Sequence, residues 1–345
     1  MAPLVSFVQI ASNITAATSD VGLGGNPALL ANLIARVLLA FVGTVLCWVP
    51  LVLLWRNGEF AAAVLIVDVM VMNVFTIINS VIWNSDDVSN WFDGTGLCDI
   101  QVYLQGPLRT IYSAAIFTVM YHLSTQVKVS RATRLGQREK TIRNRLQAAI
   151  IFPLAIFQLA FTWFDIAQRY IIGTLVGCTA VYDNSWPKTL IYDAPPAVFA
   201  VLTVPYAILL WKRFHTITKR TQGMVKSGSM ASISAVRTRR RLYKMSLAIL
   251  VVYLPLMIFY LVVDIKSIPS YKPYDYYRIH WAPAEYPWDS TVFVASWSIP
   301  SAVLNQPWIP IATTVPIVAF FGMTTEALET QSTSKSNGSR TALSC

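Results

Sequence analysis

Four polar residues recur at helical spacing within one otherwise apolar stretch of the chain. Gln101, Gln105, Arg109 and Tyr112 occupy offsets 0, 4, 8 and 11, so at roughly 100° per residue they share one face of a helix. A polar side chain in an apolar environment is costly unless it is paired or solvated. The stripe therefore predicts a polar surface that faces the interior of a helix bundle.

A neighbouring apolar stretch contributes Asp68 and Asn79, which share a helix face because they are 11 residues apart. At the helical rise per residue, Asp68 is expected about 10 Å above the inner boundary of the bundle, and Arg109 at a similar depth. We predict that they form an ion pair inside the bundle. The pair is either static or a lock that changes partner when the bundle rearranges. Asp165 and Asp193 are alternative partners for Arg109.

The segments between the apolar stretches are rich in aromatic and acidic residues. Seven tyrosines and tryptophans lie between positions 271 and 288, together with Asp275 and Glu285. Such rings either anchor helices at the lipid headgroups or hold an amphipathic ligand. We predict ligand contacts from these segments and from the span interiors: Trp83, Arg109, Tyr112, Trp186, Tyr276, His280 and Trp297.

The residue types that carry catalysis or bind metals are not grouped in this sequence. The three histidines, His122, His215 and His280, are far apart, and neither a phosphate-binding loop nor a nucleophile elbow is present. We therefore expect no enzyme activity, no metal and no cofactor.

Long apolar blocks must position these residues. Of 345 residues, 55% are hydrophobic and 13% are charged, and a span of the bilayer needs about 20 apolar residues. We predict an all-α bundle of seven transmembrane helices over 33–321, between an N-terminal segment 1–32 and a tail 322–345. The fourth block is ambiguous, because the apolar residues 170–181 either extend it or form an external loop. The predicted spans are Leu33–Trp55, Ala61–Trp83, Asp99–Ser124, Gln147–Gln168, Leu190–Trp211, Met245–Val263 and Val292–Phe321.

Basic residues indicate the orientation of the bundle. Twenty Lys and Arg residues lie in the loops and tail on one side and five in the loops on the other, and the basic side is normally cytoplasmic. We predict an extracellular N-terminus and a cytoplasmic C-terminus. This positive-inside bias explains the net charge of +10 without a nucleic-acid partner. The basic loops are also expected to contact acidic membrane lipids.

The four cysteines differ in their expected positions. Cys98 and Cys178 fall on the predicted external side, where the environment is oxidising, so they either form a disulfide or remain two buried thiols. Cys47 lies inside the first span, and Cys345 is the last residue. A disulfide would tie the second external loop over the mouth of the bundle.

Two basic internal loops form the predicted inner face for a cytoplasmic partner. Because the larger loop joins spans five and six, we expect these spans to move, with Pro255 as a hinge. The residues predicted to face the partner are Arg143, Arg145, Arg239, Arg240, Arg241 and Lys244.

Several motifs resemble those of the fungal class D receptors for lipidated mating pheromones, the a-factor receptor family. The most specific is the segment Trp91–Phe92–Asp93–Gly94 followed by Gly96–Leu97–Cys98–Asp99–Ile100. The likeness extends from about Pro50 to Ala327 and includes Asn79–Ser80–Val81–Ile82–Trp83, Gly177–Cys178, Ser185–Trp186, Arg240–Arg241–Leu242–Tyr243–Lys244–Met245, Phe320–Phe321–Gly322 and Thr325–Glu326–Ala327.

This resemblance implies a plasma-membrane receptor for a short peptide that ends in a prenylated, methylated cysteine. It also implies signalling through a heterotrimeric G protein to a mating pathway, and it leaves homo-oligomerisation open. The alternative is a transporter or channel in which Asp68 and Arg109 line the path.

Overall fold

A computed structural model describes residues 27–128, 137–221, 230–268, 271–281 and 288–322. The long helices in these ranges form a bundle, and short helical segments follow them toward the end of the chain. The long helices are α1 Pro27–Arg56, α2 Phe60–Ile82, α3 Leu97–Lys128, α4 Gln137–Asp165, α5 Ala194–Thr221 and α6 Met230–Ser267. The short ones are α7 Tyr276–His280, α8 Ser301–Asn305 and α9 Trp308–Ile317, which continues into a π-helical turn Val318–Gly322.

Six segments within the described ranges are long and apolar enough to cross a membrane: Pro27–Arg56, Phe60–Ile82, Arg138–Asp165, Lys188–Arg213, Arg240–Lys266 and Ser301–Phe321. Helix α3 is long enough as well, with 32 residues, but its polar stripe makes it less apolar than the other six. The predicted helical bundle is confirmed, and the chain is a multi-pass membrane protein.

Helix α3 lies at the centre of the bundle and packs against α2, α4, α5 and α6. The core around it is built from large aliphatic side chains, of which Leu65, Ile116 and Met120 are almost fully buried. Leu38 and Phe41 on α1 are exposed instead, as expected for side chains that face lipid tails.

A three-stranded sheet covers one end of the bundle and corrects two predicted spans. Its strands are β1 Ile166–Gly173, β2 Gly177–Tyr182 and β3 Thr291–Val294. They have the order β2–β1–β3, with β2 antiparallel and β3 parallel to β1. Helix α4 thus ends at Asp165, before the predicted Gln168, and the ambiguous residues 170–181 form a hairpin outside the helices.

The predicted seventh span, Val292–Phe321, is wrong in its first part. Val292 and Val294 belong to β3, which pairs with β1, because β-branched residues suit a strand that packs against a neighbour. Helix α8 begins only after Pro300, since proline cannot donate a backbone hydrogen bond but is tolerated where a helix starts.

Helix α6 is longer than the predicted span Met245–Val263. It runs without a break for 38 residues and includes Pro255. One continuous element therefore connects the sheet-covered end of the bundle with the basic residues near its own N-terminus.

Candidate functional site

A cavity of about 340 Å³ lies between the sheet and the helices. We call it the central cavity. Its roof includes Ile171 of β1, Val181 of β2 and Val294 of β3, and its walls come from α3, α5, α6, α8 and α9. A volume above about 300 Å³ with a largely apolar lining is typical of pockets that enclose small-molecule ligands.

The roof is tied to α3 by a disulfide. Cys98 near the start of α3 is bonded to Cys178 of β2, which confirms the predicted pairing. On the same strand, the N–H group of Ala180 donates to Oε1 of Gln105 at 3.1 Å. Both contacts hold β2 over the mouth of the helix bundle.

The turn between β1 and β2 is also fixed to the end of α2. The side-chain amide of Asn79 donates to the Val176 carbonyl at 2.9 Å, and the N–H group of Leu175 donates to the Trp83 carbonyl at 2.8 Å. Gly177 has a φ of +72°, and a Cβ atom at this position would lie 2.3 Å from Cγ of Asn79. Only glycine fits this turn without displacing Asn79.

Charged and polar side chains occupy part of the lining. Arg109 donates from Nη2 to Oε1 of Gln306 at 2.7 Å, which joins α3 to the short connection between α8 and α9. Lys188, Asp193 and Asp264 also line the central cavity. The cavity thus offers both cationic and anionic groups beside its apolar wall.

The floor of the central cavity is aromatic. The rings of Tyr112 on α3 and Tyr253 on α6 have centroids 4.7 Å apart, and the Tyr112 hydroxyl lies 2.7 Å from Oγ1 of Thr313 on α9. Both tyrosines line the cavity. A change in its contents therefore acts directly on the junction of three helices.

Tyr182 and Tyr192 stack at the side of the central cavity with ring centroids 4.0 Å apart. Burial raises the pKa of the Tyr182 phenol, so this ring presents a neutral hydroxyl at physiological pH. The pair adds a flat aromatic surface to the wall formed by β2 and the entry to α5.

The predicted ion pair between Asp68 and Arg109 is not formed, and that prediction is wrong. Asp68 is 3% exposed, and neither of its carboxyl oxygens has a hydrogen-bond partner among the residues that the structure describes. Arg109 binds Gln306 instead. Asp68 is also not among the residues that line the central cavity, so the geometry does not favour a transport path lined by both residues.

Of the seven predicted ligand contacts, the central cavity brings together Arg109 and Tyr112. Trp83 lies in the core of the roof, where it is fully buried and packs with Cys98 and Tyr170. Trp186 and Trp297 are 54% and 59% exposed and do not line the cavity.

Tyr276 and His280 belong to a separate aromatic cluster at the end of α4. The His280 ring lies 5.4 Å from Trp163, 4.3 Å from Tyr276 and 5.5 Å from Trp288, measured between centroids. These contacts fix the short helix α7 against α4. In this structure they make Tyr276 and His280 part of the outer wall rather than of the central cavity.

The predicted inner face is partly described. Arg145, Arg240 and Lys244 are exposed, and Arg241 is half-buried. Arg143 contacts the α1–α2 connection through the Gly58 carbonyl and lies 3.7 Å from Glu59. The side chain of Arg239 falls outside the described residues.

Sequence reasoning missed several cavity residues, among them Gln306, Tyr253, Tyr260, Lys188 and Asp264. Polar residues at the ends of apolar blocks were a usable signal for Lys188 and Asp264, and a polar residue in the middle of the last block was one for Gln306. The two tyrosines on α6 are seven residues apart, or two helical turns, and so share a face. That spacing was also visible in the sequence.

Comparisons with known proteins identify a family and two relatives that this chain resembles. Residues 35–333 match the model of the family described as STE3, pheromone A receptor. The chain is similar to the pheromone a factor receptor of Saccharomyces cerevisiae, with 22% identity over 291 residues, or 84% of this chain and 59% of that protein. It is also similar to the pheromone B beta 1 receptor of Schizophyllum commune, with 27% identity over 177 residues, or 51% of this chain and 32% of that protein.

The two matches thus span about three fifths and one third of the relatives' lengths. The family match covers the helical bundle, the sheet and the disulfide-linked roof. The chain belongs to the pheromone A receptor (STE3) family.

Proposed function

We propose that this chain is a cell-surface receptor for a prenylated peptide pheromone. The bound ligand activates a heterotrimeric G protein by shifting the arrangement of the helices. The observation that carries this proposal is the central cavity, which combines an apolar wall with charged groups under a disulfide-linked roof, in a chain of a pheromone receptor family.

The apolar wall suits a prenyl group. Val176 of the roof faces the same space as Met257 and Leu261 of α6 and Val303 of α8. Each CH₂ group buried from water contributes about 0.8 kcal/mol, so an isoprenoid chain gains most of its binding free energy on such a surface. A lipidated ligand also concentrates in the bilayer first, and we propose that it enters the bundle laterally from the lipid.

The charged groups suit the peptide part of the ligand. Arg109 and Lys188 donate hydrogen bonds to carbonyl oxygens, including that of a methylated terminal cysteine. Asp193 and Asp264 accept from peptide N–H groups or pair with a basic residue. Because the ester removes the terminal charge, the ligand does not need a dedicated carboxylate site.

Helix α6 provides the route from ligand to G protein. Tyr253 and Met257 line the central cavity, and Arg241 lies 12 residues before Tyr253 on the same helix, about 18 Å away. A ligand that moves this helix moves the basic face formed by Arg240, Arg241 and Lys244. Shifting the population from 1:99 to 99:1 needs about 5.5 kcal/mol of preference for the active arrangement.

G-protein activation in membranes that contain this chain tests the proposal. Prenylated and unprenylated forms of the same peptides from a compatible mating type are titrated, and nucleotide exchange is measured. We expect activation by the prenylated form alone.

A matched pair of variants locates the effect. Val303→Phe fills part of the central cavity and is expected to raise the peptide concentration needed for half-maximal nucleotide exchange at least tenfold. Val45→Phe, on the exposed side of α1, is expected to leave this concentration unchanged.

Equal activation by the unprenylated form contradicts the role of the lipid. Silence across the peptide panel, with folded protein at the surface, contradicts the receptor assignment.

A further inference from the structure

A second cavity, of about 290 Å³, opens on the outside of the bundle at the end that carries the sheet. We call it the outer notch. Residues from α3, α4, β1 and the segment before β3 line it, and none of them lines the central cavity. They are Asp99, Tyr103, Trp163, Ile166, Arg169 and Trp288.

Two tryptophans form a fixed corner of the outer notch. The rings of Trp163 and Trp288 meet at 68°, with centroids 5.2 Å apart. The indole N–H of Trp288 donates to the Ile166 carbonyl at 3.1 Å, and the backbone N–H of Arg169 donates to the Trp288 carbonyl at 3.0 Å. With Tyr103 as the third ring, three aromatic side chains line the notch.

The charges around the outer notch are mainly negative. Arg169 donates from Nε and Nη2 to the two carboxylate oxygens of Asp99 at 2.8 and 2.7 Å. These hydrogen bonds raise the pKa of the Arg169 guanidinium. Asp93 and Asp289 lie within electrostatic reach of the same guanidinium. Among the residues that the structure describes here, the Arg169 guanidinium thus lies near three carboxylates, and these surroundings attract a positively charged group.

Arg169 still has donor capacity toward an anion. Its Nη1 atom makes no hydrogen bond within the part of the chain that the structure describes, and its side chain is 32% exposed. The outer notch thus places an anion-binding donor beside an aromatic corner that suits a cation.

Lipid-facing side chains flank the outer notch. Ile100 on α3 and Phe157 and Phe164 on α4 are all substantially exposed. Because these apolar residues belong to membrane-spanning helices, they face lipid. The tryptophans stand at the end of these apolar surfaces, where aromatic residues normally meet the lipid headgroups. A headgroup in the adjacent leaflet can reach the notch while its acyl chains lie against α3 and α4.

We propose that the outer notch binds the headgroup of a phosphatidylcholine molecule. The quaternary ammonium lies against Trp163, Trp288 and Tyr103, and the phosphate accepts a hydrogen bond from Nη1 of Arg169. Aromatic faces attract such ammonium groups through cation–π interactions. The primary ammonium of phosphatidylethanolamine has strong hydrogen bonds to water, which it loses in an aromatic corner. The site therefore discriminates between the two lipids.

Native mass spectrometry of the purified protein in a neutral detergent tests this proposal. The protein is titrated with phosphatidylcholine and phosphatidylethanolamine that carry identical acyl chains. We expect the parent protein to retain the choline lipid about fivefold more strongly. Tetramethylammonium chloride should displace it, whereas sodium chloride at the same ionic strength should do so less.

Variants assign the preference to the outer notch. Tyr103→Leu and Trp163→Leu should each bring the retention ratio close to one, and Trp48→Leu on the exposed side of α1 should leave it unchanged. If Trp163→Leu fails to fold, since Trp163 also contacts Tyr276, Tyr103→Leu carries the test. Equal retention of both lipids by the parent overturns the proposal. An unchanged preference in Tyr103→Leu overturns it as well.

Discussion

The hydroxyl group of Tyr112 on α3 lies 2.7 Å from Oγ1 of Thr313 on α9. Thr313 donates its own proton to the Ile309 carbonyl at 2.8 Å, so Tyr112 is the donor in this pair. The bond lies directly beneath the central cavity and joins two helices that contribute to its lining. A ligand in the central cavity therefore contacts a residue whose hydrogen bond holds α3 and α9 together.

Removal of this hydroxyl should weaken the junction. We expect Tyr112→Phe to lower the free energy of unfolding by about 1 kcal/mol, because a buried hydrogen bond is lost while the ring contact with Tyr253 remains. Thermal unfolding in detergent measures the change. Tyr206→Phe is the control, since its ring packs against Phe117 and Tyr121. An equal loss of unfolding free energy in the two variants would show that the hydrogen bond to Thr313 adds no stability.

The disulfide should stabilise the roof of the central cavity. Cys98 and Cys178 are 80 residues apart, and removal of a natural disulfide typically costs about 2–5 kcal/mol. We expect the double substitution to serine to increase hydrogen exchange in 166–182 and to abolish the response to ligand. Cys47→Ala, which removes a buried free thiol, controls for the loss of sulfur. Unchanged exchange in the hairpin would mean that the bond does not hold the roof.

A matched pair of glycine substitutions tests the contact between the roof and α2. Gly177 and Gly96 have φ values of +72° and +80°, so alanine is strained at both positions by about 1–2 kcal/mol. A Cβ atom at Gly177 would collide with Asn79, whereas nothing lies within 4 Å at Gly96.

We therefore expect Gly177→Ala to lower the thermal midpoint and the surface level clearly more than Gly96→Ala. The added cost comes from displacing the Asn79 amide, which then loses its bond to the Val176 carbonyl. Similar thermal midpoints and surface levels for the two variants would show that backbone strain accounts for the whole loss and that the contact with Asn79 contributes nothing.

The carboxyl of Asp68 has no hydrogen-bond partner among the described residues, so its substitution is expected not to destabilise the protein. A buried carboxylate without a partner is costly, so Asp68→Asn should leave the thermal midpoint unchanged or raise it. Asp183→Asn breaks an ion pair with Arg278 at 2.8 Å and should lower the midpoint slightly. If Asp68→Asn is the more damaging of the two, Asp68 has a partner in an arrangement other than the present one.

The sequence predicted the elements whose signals are local. Runs of apolar residues located the helices, because the bilayer requires their length, and the positions of Cys98 and Cys178 indicated the disulfide. Arg109 and Tyr112 were found because a polar stripe on a transmembrane helix must face the interior.

Features that depend on distant pairing were missed. The apolar residues of β1 and β3 have no alternation that separates them from a helix, and their pairing joins positions 121 residues apart in the chain, as for Ile171 and Val292. The ion pair of Asp68 with Arg109 was predicted from their similar depth alone, but depth does not determine how the two helices are rotated about their axes. Trp83 was predicted to contact ligand because of its type and position, although its ring fills the roof core.

Photoaffinity labelling tests the central claim most directly. A peptide pheromone with a diazirine in its prenyl chain is bound to membranes that contain this protein, irradiated, and the labelled positions are mapped. The proposed site predicts labels on Met257, Leu261 or Val303 that an excess of unlabelled prenylated peptide abolishes. Labels confined to lipid-facing positions such as Leu38 or Phe41, or labels unaffected by the competitor, would contradict it.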